Sequence, residues 1–381
     1  MRKSLIFISS ALAIAACGTT PAQPEMDLLL AEDFDTTLNN VPVALYTLKA
    51  GDVVLQATNF GGRVATILTP DKDGNMENVV LGRRTIKEYV DFDGERFLGA
   101  CVGPVANRIG GAQFTLNGQT YKLPANDNKV NTLHGGLYGF DRVAWDVVDS
   151  NDSTLVLHYL RPDGFEGYPG NLDVTMTYSV NSDNEFRIDY VATTDQPTPV
   201  NISNHPFFNL QGNCEGTVDD YVLYVNANEY TPIDELSIPF GENATVEGTP
   251  FDFRTPRRMG DRIDEVENEQ IKNARGYDHN WVLARETAKG IETACSVWDK
   301  ESGRQIEVLT DQPGIQIYSG NFFKGTGAPA AHGKPIHYRS CVALETQCFP
   351  NSPNVPSFPS VILNPGEKYT QVCIYKFTVK E

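Results

Sequence analysis

From Val41 to Val379 the chain repeats one pattern: a short run of β-branched and aromatic residues, closed by Asn, Asp or Gly. Such runs suit a pleated, half-buried surface, and the closing residues tolerate the backbone of tight turns. The runs 145–149 and 154–160 flank Ser150-Asn151-Asp152-Ser153, and 172–180 and 185–193 flank Asn181-Ser182-Asp183-Asn184. The runs 113–116 and 120–123 flank Asn117-Gly118-Gln119, where Asn-Gly supplies the positive φ of a hairpin turn. The segment 372–379 alternates as a last strand, and only 259–274, short and highly charged, reads as helix. No repeat period and no low-complexity linker divides the stretch. It reads as one large all-β domain, two stacked antiparallel sheets burying its strands as a β-sandwich.

The N-terminus reads differently. Arg2 and Lys3 precede an apolar run, 5–16, that is too short to span a bilayer. It ends at Ile14-Ala15-Ala16-Cys17-Gly18, small residues before a Cys, which resembles a bacterial lipobox. The expectation is a lipoprotein signal peptide over 1–16, lipidation of Cys17, a tether over 17–35 and the folded domain over 36–381. The alternative is an ordinary signal peptide cleaved nearby. Either way the protein is exported, periplasmic or outer-membrane associated, and it meets the membrane only through the anchor. Losing Arg2 and Lys3 takes the net charge from −18 to about −20. So acidic a surface argues against nucleic acid or anionic headgroups as partners.

Six cysteines follow Cys17, with no Cys-x-x-Cys pair, so the spacing does not support zinc. Cys295, Cys341 and Cys373 fall in strand-like runs and are expected as buried thiols, with one disulfide left open. Asp71-Lys72-Asp73-Gly74-Asn75 has the look of a calcium loop. Its Gly comes early and Gly82 stands where the closing Glu belongs, so a hairpin turn is expected.

The residues that carry chemistry lie elsewhere. His205, one of six histidines, sits in Asn204-His205-Pro206-Phe207-Phe208-Asn209, a titratable ring beside aromatic walls and side-chain amides. Glu345 follows apolar strand residues, so its carboxylate is expected to be partly desolvated and more basic than usual. Each has a plainer alternative, a core histidine bonded to backbone and a strand-edge surface glutamate. The loops 133–136 and 163–170 are rich in Gly and polar residues and read as functional loops or as simple turns.

Taken in order, Asn107-Arg108-Ile109, Leu133-His134-Gly135-Gly136, Asn204-His205-Pro206-Phe207-Phe208-Asn209-Leu210, Asp278-His279-Asn280, Gln312-Pro313-Gly314-Ile315-Gln316-Ile317-Tyr318-Ser319-Gly320-Asn321 and Leu344-Glu345-Thr346-Gln347 resemble the signature blocks of the aldose 1-epimerase (galactose mutarotase) family. The resemblance covers nearly all of the chain after the leader. It implies a large antiparallel β-sandwich of the galactose mutarotase-like type. It implies His205 as general acid and Glu345 as general base, with Asn107, Arg108, His134, Asp278 and Gln316 holding sugar hydroxyls. Pro206-Phe207 falls where relatives vary. His279, next to Asp278, faces the other side of its strand and is left structural. His158, His332 and His337 are expected to be solvated.

The implied reaction opens a cyclic hemiacetal and closes it on the other face, with Glu345 working at O1 and protonated His205 at O5. Arg108 and His134 are expected to support negative charge near O5. The implied substrates are free aldohexoses, glucose or galactose, and no cofactor is required. A structural Ca²⁺ is compatible with the family, without a legible ligand set. Four rivals remain: a non-catalytic sugar-binding protein, a glycoside hydrolase pairing Glu345 with Asp278, a metal enzyme using His134, His205 and Asp278, and an epimerase for phosphorylated sugars, for which Arg108 alone is thin. The preferred sugar and the oligomeric state are not legible in the sequence.

Overall fold

The computed structural model describes residues 26–380. The leader, Cys17 and the first part of the tether lie outside them. Among the described residues, no helix is long and apolar enough to cross a membrane.

A nine-stranded antiparallel sheet forms one layer. Its centre is Leu172–Val180, Glu185–Thr194, Tyr369–Val379 and Arg304–Thr310, paired in that order. A six-stranded sheet and a four-stranded sheet pack against it. The six-stranded sheet carries Phe207–Phe208, Val342–Gln347, Gly314–Tyr318 and Asp278–Leu283 side by side. The four-stranded sheet runs from Leu45–Ala50 to Met76–Asn78. Strand Leu172–Val180 alternates as the period of two requires, its buried residues facing the other layer. One core joins Val174, Met176 and Tyr375 of the large sheet to Ile315, Ile317 and Leu344 of the second and Leu55 and Ile67 of the third. The Tyr375 hydroxyl donates to the Leu344 carbonyl at 2.8 Å, so the layers are also hydrogen-bonded. Buried Arg304 ties the edge in the same way, donating to the carbonyls of Thr69 (3.3 Å), Leu210 (3.1 Å) and Asn75 (3.0 Å).

The strands expected from sequence are present within a few residues, and the last begins earlier, at Tyr369. The helix expected over 259–274 is mostly absent. Met259–Asp261 is one 3₁₀ turn, and only Glu269–Ala274 is α-helical. Its charges serve other partners: Arg262 pairs with Glu265 at 2.5 Å, and Asp264 binds buried Arg339 at 2.7 Å. A second short helix, Ile86–Asp91, was not legible; Thr85 and Glu88 form its capping box. The 71–75 segment is the expected turn. The Asp71 carboxylate accepts the N–H groups of Asp73 and Asn75, both at 2.8 Å, between Arg63–Pro70 and Met76–Asn78. All six described cysteines are buried free thiols.

Two further expectations need correction. The tether does not reach residue 35, because Leu29 and Phe34 are buried in a second apolar cluster with Tyr89, Phe207 and Tyr318. Leu29 also exchanges backbone bonds with the Gln56 side chain. His332 is not solvated: both its ring nitrogens are buried without a partner among the described residues. His279 is structural as expected, enclosed by Phe251 and Trp281, with burial alone lowering its pKa to about 3.

If residues before 36 belong to the fold, Phe34→Ala should lower unfolding free energy by about 3–5 kcal/mol, read by denaturant titration. A change within error would return the segment to the tether. His279 makes a pH prediction. Unfolded, its ring titrates near about 6.5, whereas the folded ring stays neutral down to about 3. Between these values the unfolded chain binds more protons, so stability rises with pH. The full contribution is present above about pH 6.5 and is lost as pH falls toward about 3. Thermal unfolding of His279→Gln should be less acid-sensitive than wild type across that window; equal slopes would refute the assignment.

Candidate active site

Strand Val342–Gln347 is buried along its whole length. Alternate residues serve different purposes: Val342 and Leu344 enter the main core, while Ala343 joins the second cluster and Glu345 opens into a cleft. Directly across from Glu345 is Gln316 on the neighbouring strand, and Tyr318 pairs with Asp278 one strand further on. Four side chains with polar groups are thus placed on one sheet face by register alone. His205 comes from a different pairing, Ser203–His205 against Ala100–Val102, and Phe207 then joins the six-stranded sheet opposite Ala343.

These elements enclose a cleft of about 190 Å³. His205 Nε2 lies 3.4 Å from Glu345 Oε1, and both side chains are nearly inaccessible. Phe207 and Phe97 flank the His205 ring at 4.5 and 6.1 Å between centroids, and His134 meets it edge-on at 5.2 Å. Phe97 is held in place by Arg96, whose guanidinium grips buried Asp141 through two bonds of 2.7 and 2.8 Å.

His134 and Asn107 sit in the left-handed region, at φ of 51° and 60°. They brace each other: His134 N–H donates to the Asn107 carbonyl (3.0 Å), and Asn107 N–H donates to His134 Nδ1 (3.1 Å). Asn126 fastens the same turn through Leu133 and Gly136. Gly135 is required there, since a Cβ would fall 1.9 Å from the Gly103 carbonyl oxygen. The 163–170 loop stays out of the cleft. Its carbonyls at Tyr168, Pro169 and Gly170 cap buried Arg161 at 2.8–2.9 Å, and Glu166 accepts from Leu137 N–H beside the His134 turn.

Burial dominates the electrostatics. It drives His205 down to about 3, holds His134 well below the usual imidazole value, and pushes Glu345 well above the carboxylate range. The nearby Asp278 charge raises Glu345 further, while Arg108 opposes both effects. Asp278 is itself raised by burial, against Arg108 and the Gln316 hydrogen bond. Both shifts point the same way, favouring a neutral imidazole beside a protonated carboxyl. The expected acid, a protonated His205, corresponds to the other form of the pair, an imidazolium beside a carboxylate. The two forms carry the same number of protons and differ only in which partner of a 3.4 Å contact holds one.

The cleft brings together Asn107, Arg108, His134, His205, Asp278 and Glu345. Gln316 stands behind them, its Nε2 donating to Asp278 Oδ1 at 2.7 Å while its Oε1 is buried without a partner among the described residues. Arg108 Nε donates to Asp127 at 3.0 Å, and the guanidinium also lines the cleft. The amides flanking His205 serve the scaffold instead: Asn204 donates to the Tyr178 hydroxyl, and Asn209 to the Ser340 carbonyl. Glu95, Phe97, Tyr318 and Phe322 line the cleft without having been singled out. Tyr318 was findable, two residues from Gln316 on a strand; Glu95 and Phe97 arrive by tertiary folding and carry no local signal.

His134, His205 and Glu345 also offer donor atoms within 4.8 Å of one another, a spacing a metal could use. His134 is already committed, because its Nδ1 lone pair accepts from Asn107 and its Nε2 then carries the proton. Ligation there would need an imidazolate or the loss of that bond. The site is better equipped to exchange protons with hydroxyl groups than to hold a cation.

The aldose 1-epimerase family model matches residues 44–376. The chain is 39% identical over 338 residues to a galactose mutarotase of Sus scrofa, covering 88% of this chain and 94% of that protein. It is 36% identical over 340 residues to an aldose 1-epimerase of Escherichia coli (strain K12), covering 88% and 95%. The crystal structure of a galactose 1-epimerase from Lactobacillus acidophilus NCFM superposes with a TM-score of 0.78 at 28% identity, over 91% of this chain and 98% of that one. The galactose mutarotase-like sandwich, the ordered blocks around the cleft and these relatives agree: the chain belongs to the aldose 1-epimerase family.

Proposed function

We propose that the cleft interconverts the α and β anomers of free aldohexoses. The observation that carries this reading is the buried His205–Glu345 contact of 3.4 Å inside a cleft of about 190 Å³. An anomeric carbon bears two oxygens, O1 and O5, and one must lose a proton as the other gains one. An acid and a base side by side meet that demand. Glu345 takes the O1 proton and His205 protonates O5 as the C1–O5 bond breaks. The aldehyde turns about C1–C2, O5 attacks the other face, and each proton returns. With sugar bound, hydroxyl groups replace the lost water around Glu345, and the shared proton moves to His205 for ring opening. Arg108 and His134 support charge developing near O5, and Asn107, Asp278 and Gln316 orient the hydroxyls.

The surroundings favour an uncharged sugar. Glu95, Asp278 and Glu345 line the cleft against a single Arg108, a poor setting for a phosphate. A glycosidase pair needs carboxyl groups about 5–5.5 or 6.5–9.5 Å apart, whereas the partner 3.4 Å from Glu345 is an imidazole. The chemistry as drawn requires no metal or organic cofactor.

The rate at which freshly dissolved α-D-glucose or α-D-galactose mutarotates, followed by polarimetry, tests the reading. His205→Ala and Glu345→Gln should each slow catalysis by about 10²–10⁴-fold. A spontaneous rate with wild-type protein would leave a sugar-binding protein, and activity surviving in both variants would sink the assigned roles. We further infer that the chain is an exported lipoprotein anchored through Cys17, on the strength of the 14–18 sequence. Cys17→Ser should move the protein from the membrane to the soluble fraction; unchanged fractionation would refute the anchor.

A further inference from the structure

The His205 ring is not steered by a hydrogen bond at its second nitrogen. Nε2 faces Glu345, while Nδ1 has no hydrogen-bond partner in any other described residue. A working imidazole is commonly oriented by the bond that its other nitrogen makes, so here the aim of the ring rests on packing. Phe207 and Phe97 flank it at 4.5 and 6.1 Å, and Phe97 also meets His134 edge-on at 4.6 Å. Phe207 is fixed by its strand. Phe97 belongs to no strand, so its position has to come from elsewhere.

It comes from two arginines and one buried carboxylate. Arg63 Nη1 donates to the carbonyls of Arg96 (3.0 Å) and Leu98 (2.9 Å), one on each side of Phe97. Phe97 N–H is tied to Glu95 Oε1 at 2.8 Å, and Gly99 N–H to the His205 carbonyl at 3.0 Å. The Arg96 guanidinium lies 4.9 Å from the centre of the Phe97 ring and grips both oxygens of Asp141. Asp141 is fully buried, and Arg63 Nη2 reaches it too, 3.6 Å from its carboxylate and 2.9 Å from its carbonyl oxygen. The same carboxylate lies beside the His134 turn: a Cβ on Gly139 would fall 2.4 Å from the His134 carbonyl oxygen and 3.1 Å from Asp141 Oδ1. Asp141 thus ties the Phe97 loop to the His134 loop. A bidentate guanidinium–carboxylate pair fixes direction as well as distance, and a buried one cannot lose a partner cheaply.

We propose that Arg63, Asp141 and Arg96 form a clamp that aims the acid: it sets Phe97 against the rings of His134 and His205 and so fixes the direction in which His205 presents its proton to O5. Arg96 and Asp141 are positioning residues that act through Phe97. The proposal rests on the epimerase reading of the cleft and adds how its acid is held.

Polarimetry of freshly dissolved α-D-glucose or α-D-galactose with Arg96→Met, Phe97→Leu and the double variant tests it. Arg96 is chosen over Asp141 because its side chain is 13% exposed and its loss leaves Asp141 beside Arg63. Arg96→Met should lower kcat about 10–10²-fold, as a slightly displaced catalytic group does, with KM little changed. The double variant should be no slower than Phe97→Leu alone, because both changes act on one wall. Arg96→Lys, which keeps the charge and loses the fork, should fall between wild type and Arg96→Met; it carries the comparison if Arg96→Met does not fold. An unchanged kcat, a loss confined to KM, or losses that multiply in the double variant would overturn the clamp. The NMR signal of the His205 Cε1–H group reads the ring's surroundings without turnover. Arg96→Met should shift it in the same direction as Phe97→Leu, and an unmoved signal would overturn the clamp whether or not the protein epimerises a sugar. Wild-type protein that accelerates neither sugar would overturn the epimerase reading instead.

Discussion

The site depends on a strand that has no exposed residue. Along Val342–Gln347 one face packs the sandwich core, and the other presents Glu345 to the cleft. A carboxyl group in that position cannot keep its ordinary hydration, so its proton affinity is set by the fold. The imidazole of His205 reaches it from a separate pairing, against Ala100–Val102, and shares the same loss of water. The sheet supplies rigidity, and rigidity is what keeps two titratable groups at 3.4 Å.

Around that sheet the loops lack ladders of their own, and buried guanidinium groups replace them. Arg161 gathers the carbonyls of the 168–170 turn, Arg83 joins the loop at Asp93 to the loop at Ala328 and Pro329, and Arg304 fixes the hairpin near Asn75 to the end of the His205 segment. Each uses the planar fork to satisfy several carbonyl oxygens that would otherwise be buried unpaired. None of the three has a carboxylate within salt-bridge distance among the described residues. The carbonyl oxygens are their direct partners, with carboxylates such as Asp163, Glu95 and Asp71 acting only at longer range, which makes these arginines sensitive to any change in loop backbone.

The sequence was most informative where local chemistry and tertiary role coincide. Strands separated by Asn- and Gly-rich turns declared themselves, because alternation survives in strands such as Leu172–Val180 that have one face in the core. His205, Glu345, Asp278 and the Asn107–Arg108 pair stood out through their neighbours and did meet in one cleft. The sequence misled where charge carried the signal. Residues 259–274 look like a solvated helix, yet Asp264 is drawn to Arg339, 75 positions away. Glu95 and Phe97 were invisible because nothing near them in the chain marks them, and only the folding of their loop against His134 and His205 makes them walls. The lowered proton affinity of His205 was hidden for a similar reason: it follows from how deeply the sandwich buries the ring, which no short motif records.

The closeness of His205 and Glu345 has a kinetic consequence under the proposed roles. Ring opening moves one proton onto the carboxylate and another off the imidazole, and closure reverses both. The pair leaves each turnover carrying the protons it began with. Burial favours a neutral imidazole beside a protonated carboxyl, which under those roles is the form that would face the open-chain aldehyde. Under those roles, burial of the pair favours the middle of the reaction over either anomer. No relay of water or side chains to bulk solvent is needed to reset it, and so a reaction of this kind can be housed deep within a sheet whose interior is otherwise hydrocarbon.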